Sequence, residues 1–147
     1  MSESTSASST RLLVRAMSAL LALNLVNGVI AVAAGVNTWP QAWGSEALLA
    51  VPLPMLGFQV LLTWLAVRRP GRVAQVAAAL LAVACTVCVV SGFFDGGYGN
   101  DALTPALVVL QLLLVAGLAA VALAAGNRLR VQLSTTRRAE LAPEGSR

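Results

Sequence analysis

Histidine and lysine are both absent from the 147 residues, and all ten basic residues are arginine. Without histidine the chain lacks the commonest proton shuttle and metal ligand near neutral pH. That weighs against most enzymatic chemistries. Charge of either sign is also scarce, at 11% of residues against 58% hydrophobic, with a mean hydropathy of +0.80. A soluble domain of this size needs far more charge to cover its surface, so the composition points to a membrane protein. A nucleophile–base pair, an H-E-x-x-H motif and a glycine-rich phosphate loop are missing too. None of the six carboxylates falls inside a long apolar block, which removes the usual relay of proton-coupled transport. Neither a cofactor nor a bound metal is expected, and no nucleic-acid partner.

What is present falls into four apolar blocks: Leu12 to Val36, about Ala47 to Val67, Val73 to Phe94, and Ala102 to Ala125. Each holds roughly 20 residues or more, enough to cross about 30 Å of hydrocarbon as a helix. None contains Asp, Glu, Arg or Lys. One such charge near the centre would cost about 2.5–3.5 kcal/mol, against a gain of about 0.3–0.6 for each Leu or Val. The fold class predicted is an all-α membrane protein, a bundle of four transmembrane helices. Arg11 and Arg15 precede the first block, Arg68, Arg69 and Arg72 separate the second from the third, and Arg128, Arg130, Arg137, Arg138 and Arg147 follow the fourth. The other two connections carry only Glu46, Asp95 and Asp101. An even number of spans with every arginine on one side places both termini in the cytoplasm. Trp39, Trp43, Phe93, Phe94 and Tyr98 then mark the outer interface and Trp64 the inner one. Heavy use of Ala and Arg suggests GC-rich coding, hence a multi-pass protein of a bacterial cell membrane.

Residues 1–10 are mostly Ser and Thr without apolar periodicity, which predicts a disordered cytoplasmic tail. Residues 11–126 form the transmembrane domain and 127–147 a basic cytoplasmic tail, helical along the membrane surface towards Leu141 until Pro143 and Gly145. Arg69-Pro70-Gly71 is a turn signal between antiparallel helices. The stretch from Asp95 to Asp101 reads as an outer turn, with Thr104 and Pro105 as N-cap and first residue of the last helix. A rival reading makes the first block a signal peptide cleaved near Ala31-Val32-Ala33. The block is long for that purpose, and Asn24 and Asn27 interrupt it.

Polar residues inside the blocks sit at related depths. Asn24 and Asn27 share a face of the first span, Gln59 and Thr63 lie in the second, and Gln111 occupies the outer half of the fourth. An unpaired amide in hydrocarbon is costly, so these side chains should face one another. One reading is interhelical glue, at about 0.6 kcal/mol per bond on average. The other is a polar pocket formed by Asn24, Asn27, Gln59 and Gln111 in the outer half of the bundle, with Pro52 and Pro54 kinking the second span beside it. Small-residue rows favour close helix approach: Ala74, Ala78 and Ala82; Ala84, Cys88 and Gly92; Asn27, Ala31 and Gly35; Ala116, Ala120 and Ala124.

Cys85-Thr86-Val87-Cys88 has the spacing of a redox pair, in which a thiolate attacks a disulfide. In span count and this one spacing the chain resembles the quinone-linked membrane enzymes that make disulfides. It departs from them in lacking a second cysteine pair in an outer loop, and no basic residue lies near Cys85 and Cys88 to favour a thiolate. Packing by two small soft side chains is the plainer role. Glu46, Asp95, Asn100 and Asp101 are oxygen ligands of the right type for a hard cation, but their spacing matches no EF-hand loop. Arg68, Arg69 and Arg72 are placed to meet anionic lipid head groups, at about 1 kcal/mol each. The leading expectation is a non-enzymatic scaffold, accessory subunit or interaction module, partnered by another membrane protein or by its own copies. The alternative is a small-molecule or lipid-binding or transport protein using the polar pocket. A thiol redox protein using Cys85 and Cys88 comes third.

Overall fold

A computed structural model of the chain describes residues 2–45, 47, 49–94 and 103–140. Among these residues the secondary structure is helical throughout: α1 (Ser2–Ala33), α2 (Trp39–Trp43), α3 (Leu53–Arg68), α4 (Arg72–Phe94) and α5 (Pro105–Glu140). Three of these helices, α1, α4 and α5, are long and apolar enough to cross a membrane, whereas α3 has 16 residues. The outer-turn residues Asp95 to Asp101, Glu46, and everything from Leu141 onward lie outside the described residues.

Local chemistry accounts for the helix ends. α1 stops at a glycine in left-handed geometry, Gly35 at φ 71°. The Val36 N–H reaches back to the Ala31 carbonyl at 3.0 Å and the Gly35 N–H to Val32 at 3.0 Å, the paired bonds of a Schellman cap. The turn between α3 and α4 falls at Arg69-Pro70-Gly71, as its residues predict, with Gly71 at φ 68°. α5 begins at Pro105, and the Thr104 carbonyl accepts the Val108 N–H at 3.1 Å.

In three places the structure departs from the expectation. The second apolar block is not one helix from residue 47: α3 starts at Leu53, with Pro52 as N-cap and Pro54 just inside. Proline disfavours helical backbone in the residue before it and supplies no N–H, so the pair starts a helix instead of kinking one. The Ser/Thr-rich stretch before Arg11 is helix from Ser2, not a disordered tail. Its inward face continues the seam of α1, where Ser9, Leu13, Met17, Leu20, Asn24, Asn27 and Ala31 are all buried at three- or four-residue spacing. Finally, α5 runs through Gly126 to Glu140. Its polar end packs beside the α3–α4 turn, the Gln132 amide donating to the Ala66 carbonyl at 3.5 Å and the Gln75 amide to Thr136 Oγ1 at 3.1 Å.

Extensive pairings join α4 to α5, α1 to α5 and α3 to α4, while α1 meets α3 and α2 over smaller patches. The main core includes Leu13, Leu20, Leu81, Cys85, Leu118 and Val121, and a second cluster of Ala31, Leu49, Leu103 and Leu107 caps the other end of α1 and α5. Lipid tails are as apolar as leucine, so in a membrane such seams gain from close packing rather than from leaving water. Ala74 and Ala78 are buried on α4, as their row predicts, whereas Ala116 and Ala120 of α5 face outward. The helices are staggered. Gly92 lies opposite Val115, and Gln75 opposite Thr136. Gln75 therefore lies about eleven residues, roughly 16 Å, beyond Ala125, the last residue of the apolar stretch of α5, and the α3–α4 turn lies about a helical turn further.

Candidate functional site

Of the four buried amides grouped by sequence only Asn24 uses both its oxygen and its nitrogen; Asn27, Gln59 and Gln111 each leave the oxygen without a partner. Asn24 grips the residue before Pro52. The Val51 N–H donates to Asn24 Oδ1 at 2.6 Å, and Asn24 Nδ2 donates to the Val51 carbonyl at 3.5 Å. Non-helical backbone buried among apolar side chains needs partners of this sort. Asn27 Nδ2 donates to the Leu110 carbonyl of α5 at 3.1 Å, and its Oδ1 has no partner. Gln59 is fully buried in α3. Its Nε2 donates to Cys88 Sγ at 3.6 Å and its Oε1 is unpaired. Thr63 is a helix-internal donor to the Gln59 carbonyl at 2.8 Å.

Gln111 differs from these three. It is 7% exposed and its Oε1 lacks a partner. It also lines a half-open cleft of about 300 Å³ between the start of α3, the end of α4 and α5. Ser45, Pro52, Met55, Cys88 and Ser91 are on the same wall, with Leu114, Val115 and Leu118 forming the floor. A Cβ on Gly92 would meet Val115 Cγ2 at 3.0 Å, so the glycine lets α4 approach α5 at the edge of the cleft. Of the four amides grouped by sequence, Gln111 alone is among the lining residues of this cleft. Asn24 shapes it indirectly by holding Val51, itself a lining residue.

Cys85 and Cys88 are both free thiols. Cys85 is buried in the main core, while Cys88 is half-buried on the cleft wall and its thiol donates to Met55 Sδ at 3.4 Å. Near the pair the Gln59 amide donates one long bond to Cys88 Sγ, and no cationic side chain is present among the described neighbours to favour a thiolate further. The oxygen ligands Glu46, Asp95, Asn100 and Asp101 lie outside the described residues.

At the opposite end, Arg68, Arg69 and Arg72 flank the α3–α4 turn and are exposed. The Arg69 guanidinium stands 5.7 Å over the Trp64 ring, a cation–π contact suited to a membrane interface. A fourth arginine, not singled out by its sequence position, is buried here. Arg128 is 9% exposed, and its Nη1 donates to the Ser6 carbonyl at 3.2 Å, the Ser6 hydroxyl at 2.9 Å and the Ser9 hydroxyl at 3.3 Å. The signal for it was available: Arg128 continues the inward row Leu114, Leu118, Val121 and Ala125 at helical spacing.

No protein-family model matches the chain, and neither a curated protein nor a solved structure matches it.

Proposed function

We propose that the chain is a four-span protein of a bacterial cell membrane with both termini on the arginine-bearing, cytoplasmic side. Its function in this reading is non-catalytic: the cleft between α3, α4 and α5 takes up a small apolar or amphiphilic molecule. The helical part of the second span covers about 24 Å at 1.5 Å per residue. The non-helical residues before Leu53 complete the crossing, a course that bilayers tolerate where such backbone is buried in protein and paired. Asn24 supplies that pairing at Val51.

The observation that carries the binding reading is the cleft itself, largely apolar, with the Gln111 amide among its lining residues. A ligand group that hydrogen-bonds the Gln111 amide would add about 0.5–1.5 kcal/mol. A cavity near 300 Å³ with few polar groups sits at the small end of ordinary ligand sites. The ligand class is therefore a short apolar body with one hydrogen-bonding group. Native mass spectrometry of protein purified in mild detergent tests this. A retained small molecule is expected, with occupancy falling about tenfold in Gln111→Leu, the loss of one well-placed buried hydrogen bond. Ser91→Phe, which fills the cleft, should empty it. Undiminished occupancy in both variants would remove the site.

A second reading, an interaction module or scaffold, is favoured by the outer face of α4. Val73, Val76, Leu80, Val83, Val87 and Val90 are exposed there with alternating three- and four-residue spacing, the seam of left-handed helix pairing. Lipid suits the same face. A partner membrane helix or a second copy seated on it would be lost on Val83→Trp, read by crosslinking in membranes.

A further inference from the structure

Arg128 poses a problem that its observed partners do not solve. A guanidinium taken out of water needs opposite charge and saturated donors, or it costs several kcal/mol. Among the described residues its acceptors are a carbonyl and two hydroxyls, all neutral, and its Nε has no partner. The surrounding end of the chain carries a large excess of positive charge. All ten arginines belong to the proposed cytoplasmic side, against Glu3, Glu140 and Glu144.

The guanidinium opens onto a cleft of about 220 Å³ lined by Ser6, Arg69, Gln75, Arg128, Thr135 and Thr136, where the N-terminal turns of α1, the α3–α4 turn and the polar end of α5 meet. Two guanidinium groups share this small space with two side-chain amides, Gln75 and Gln132. The Thr135 and Thr136 hydroxyls donate to carbonyls of their own helix and the Gln132 Oε1 is an unpaired acceptor, so the donors free for a ligand are chiefly those of the two guanidinium groups. Donor-rich, cationic and concave, it has the character of an oxyanion site. Arginine forks match phosphate geometry bidentately. The stagger of the helices adds a second reason. By that register Arg128 and Arg130 lie level with apolar turns of α4, where head groups must be drawn inward to meet them or the cations lose their hydration.

We infer that this cleft binds a phosphate group between Arg69 and Arg128, supplied by an anionic phospholipid head group or by a soluble phosphate ester. The site is separate from the Gln111 cleft and stands or falls without it. Occupancy would hold the first turns of α1 against α5, because Ser6 shares Arg128 with the ligand.

The test uses full-length protein delipidated in detergent, then returned to nanodiscs of phosphatidylcholine with or without phosphatidylglycerol. Native mass spectrometry reads lipid retention after release from the disc, and titration calorimetry with inorganic phosphate reads the soluble arm. Expected is preferential retention of phosphatidylglycerol, reduced roughly five- to tenfold by Arg69→Gln or Arg128→Gln, as the loss of one arginine contact predicts. Arg137→Gln, on an exposed position of the same helix, should change nothing. Phosphate binding in the calorimeter without lipid preference, lost in the same two variants, supports the site with a soluble source. Equal loss in Arg137→Gln would reduce the effect to general surface charge and overturn the inference, as would no binding in either arm. If Arg128→Gln does not fold, Arg69→Gln carries the test, since Arg69 is exposed and its removal disturbs no core.

Discussion

Replacing Asn24 by leucine isolates the contact that allows irregular backbone before α3. Leucine keeps nearly the same volume and removes the amide, so packing changes little. The Val51 N–H then loses a 2.6 Å bond and its carbonyl a much weaker one at 3.5 Å. Both groups are shut away, Val51 being 6% exposed, and Pro52 supplies no neighbouring N–H to rearrange the turn. An orphaned buried backbone group costs about 1–3 kcal/mol, so the N–H alone sets the scale and the expected loss is about 2–3 kcal/mol. Asn27→Leu is the matched control. Its partner, the Leu110 carbonyl, sits inside α5 and keeps the N–H four residues on, while the unpaired Asn27 Oδ1 disappears with the side chain. That change should cost no more than about 0.6 kcal/mol, the average for an interhelical bond in a membrane. Reversible unfolding in mixed micelles, followed by far-UV circular dichroism, measures both. Losses equal within about 0.5 kcal/mol would refute the claim that Asn24 is needed for backbone pairing.

Three further outcomes follow from the geometry. A Cβ at Gly28 would stand 2.6–2.9 Å from three indole carbons of Trp43. Gly28→Ala should therefore cost about 1–3 kcal/mol by overpacking, with a favourable coupling to Trp43→Ala in a double-mutant cycle; independent effects would contradict the contact. Cys88, half-buried on the cleft wall, should react with a membrane-permeant maleimide in the folded protein, whereas the fully buried Cys85 should not until the chain unfolds. Equal labelling, read by mass spectrometry, would mean that the cleft does not admit small molecules. For topology, Thr38→Cys in a cysteine-free background should be labelled by an impermeant reagent on intact cells and Arg69→Cys should not. The reverse pattern would invert the proposed orientation.

Apolar runs and capping residues are properties of short stretches of chain, so they could be read before any tertiary contact was known. The helical class, the ends of α4, the Arg69-Pro70-Gly71 turn and the start of α5 at Pro105 were legible for that reason. Pro52 and Pro54 were visible too, but whether two prolines kink a helix or begin one depends on what satisfies the backbone upstream. That was decided by Asn24, 27 residues earlier in the chain. The same holds for the N-terminal serines. Their composition argues for disorder when taken alone, and becomes helix when Ser6 and Ser9 face Arg128 across α5.

The candidate site was less legible than the fold. Depth along a helix follows from counting residues, so Asn24, Asn27, Gln59 and Gln111 could be grouped as one polar layer. Azimuth and partner do not follow from counting. Only packing assigned Asn24 and Asn27 to backbone carbonyls and amides, Gln59 to Cys88, and put Gln111 alone of the four in the lining of a cleft. Sequence by itself determined that these helices are neutral and where the arginines cluster, because both depend on residue type alone. Tertiary structure decided which polar atoms remain unpaired, since a hydrogen bond is a property of two groups brought together from distant parts of the chain.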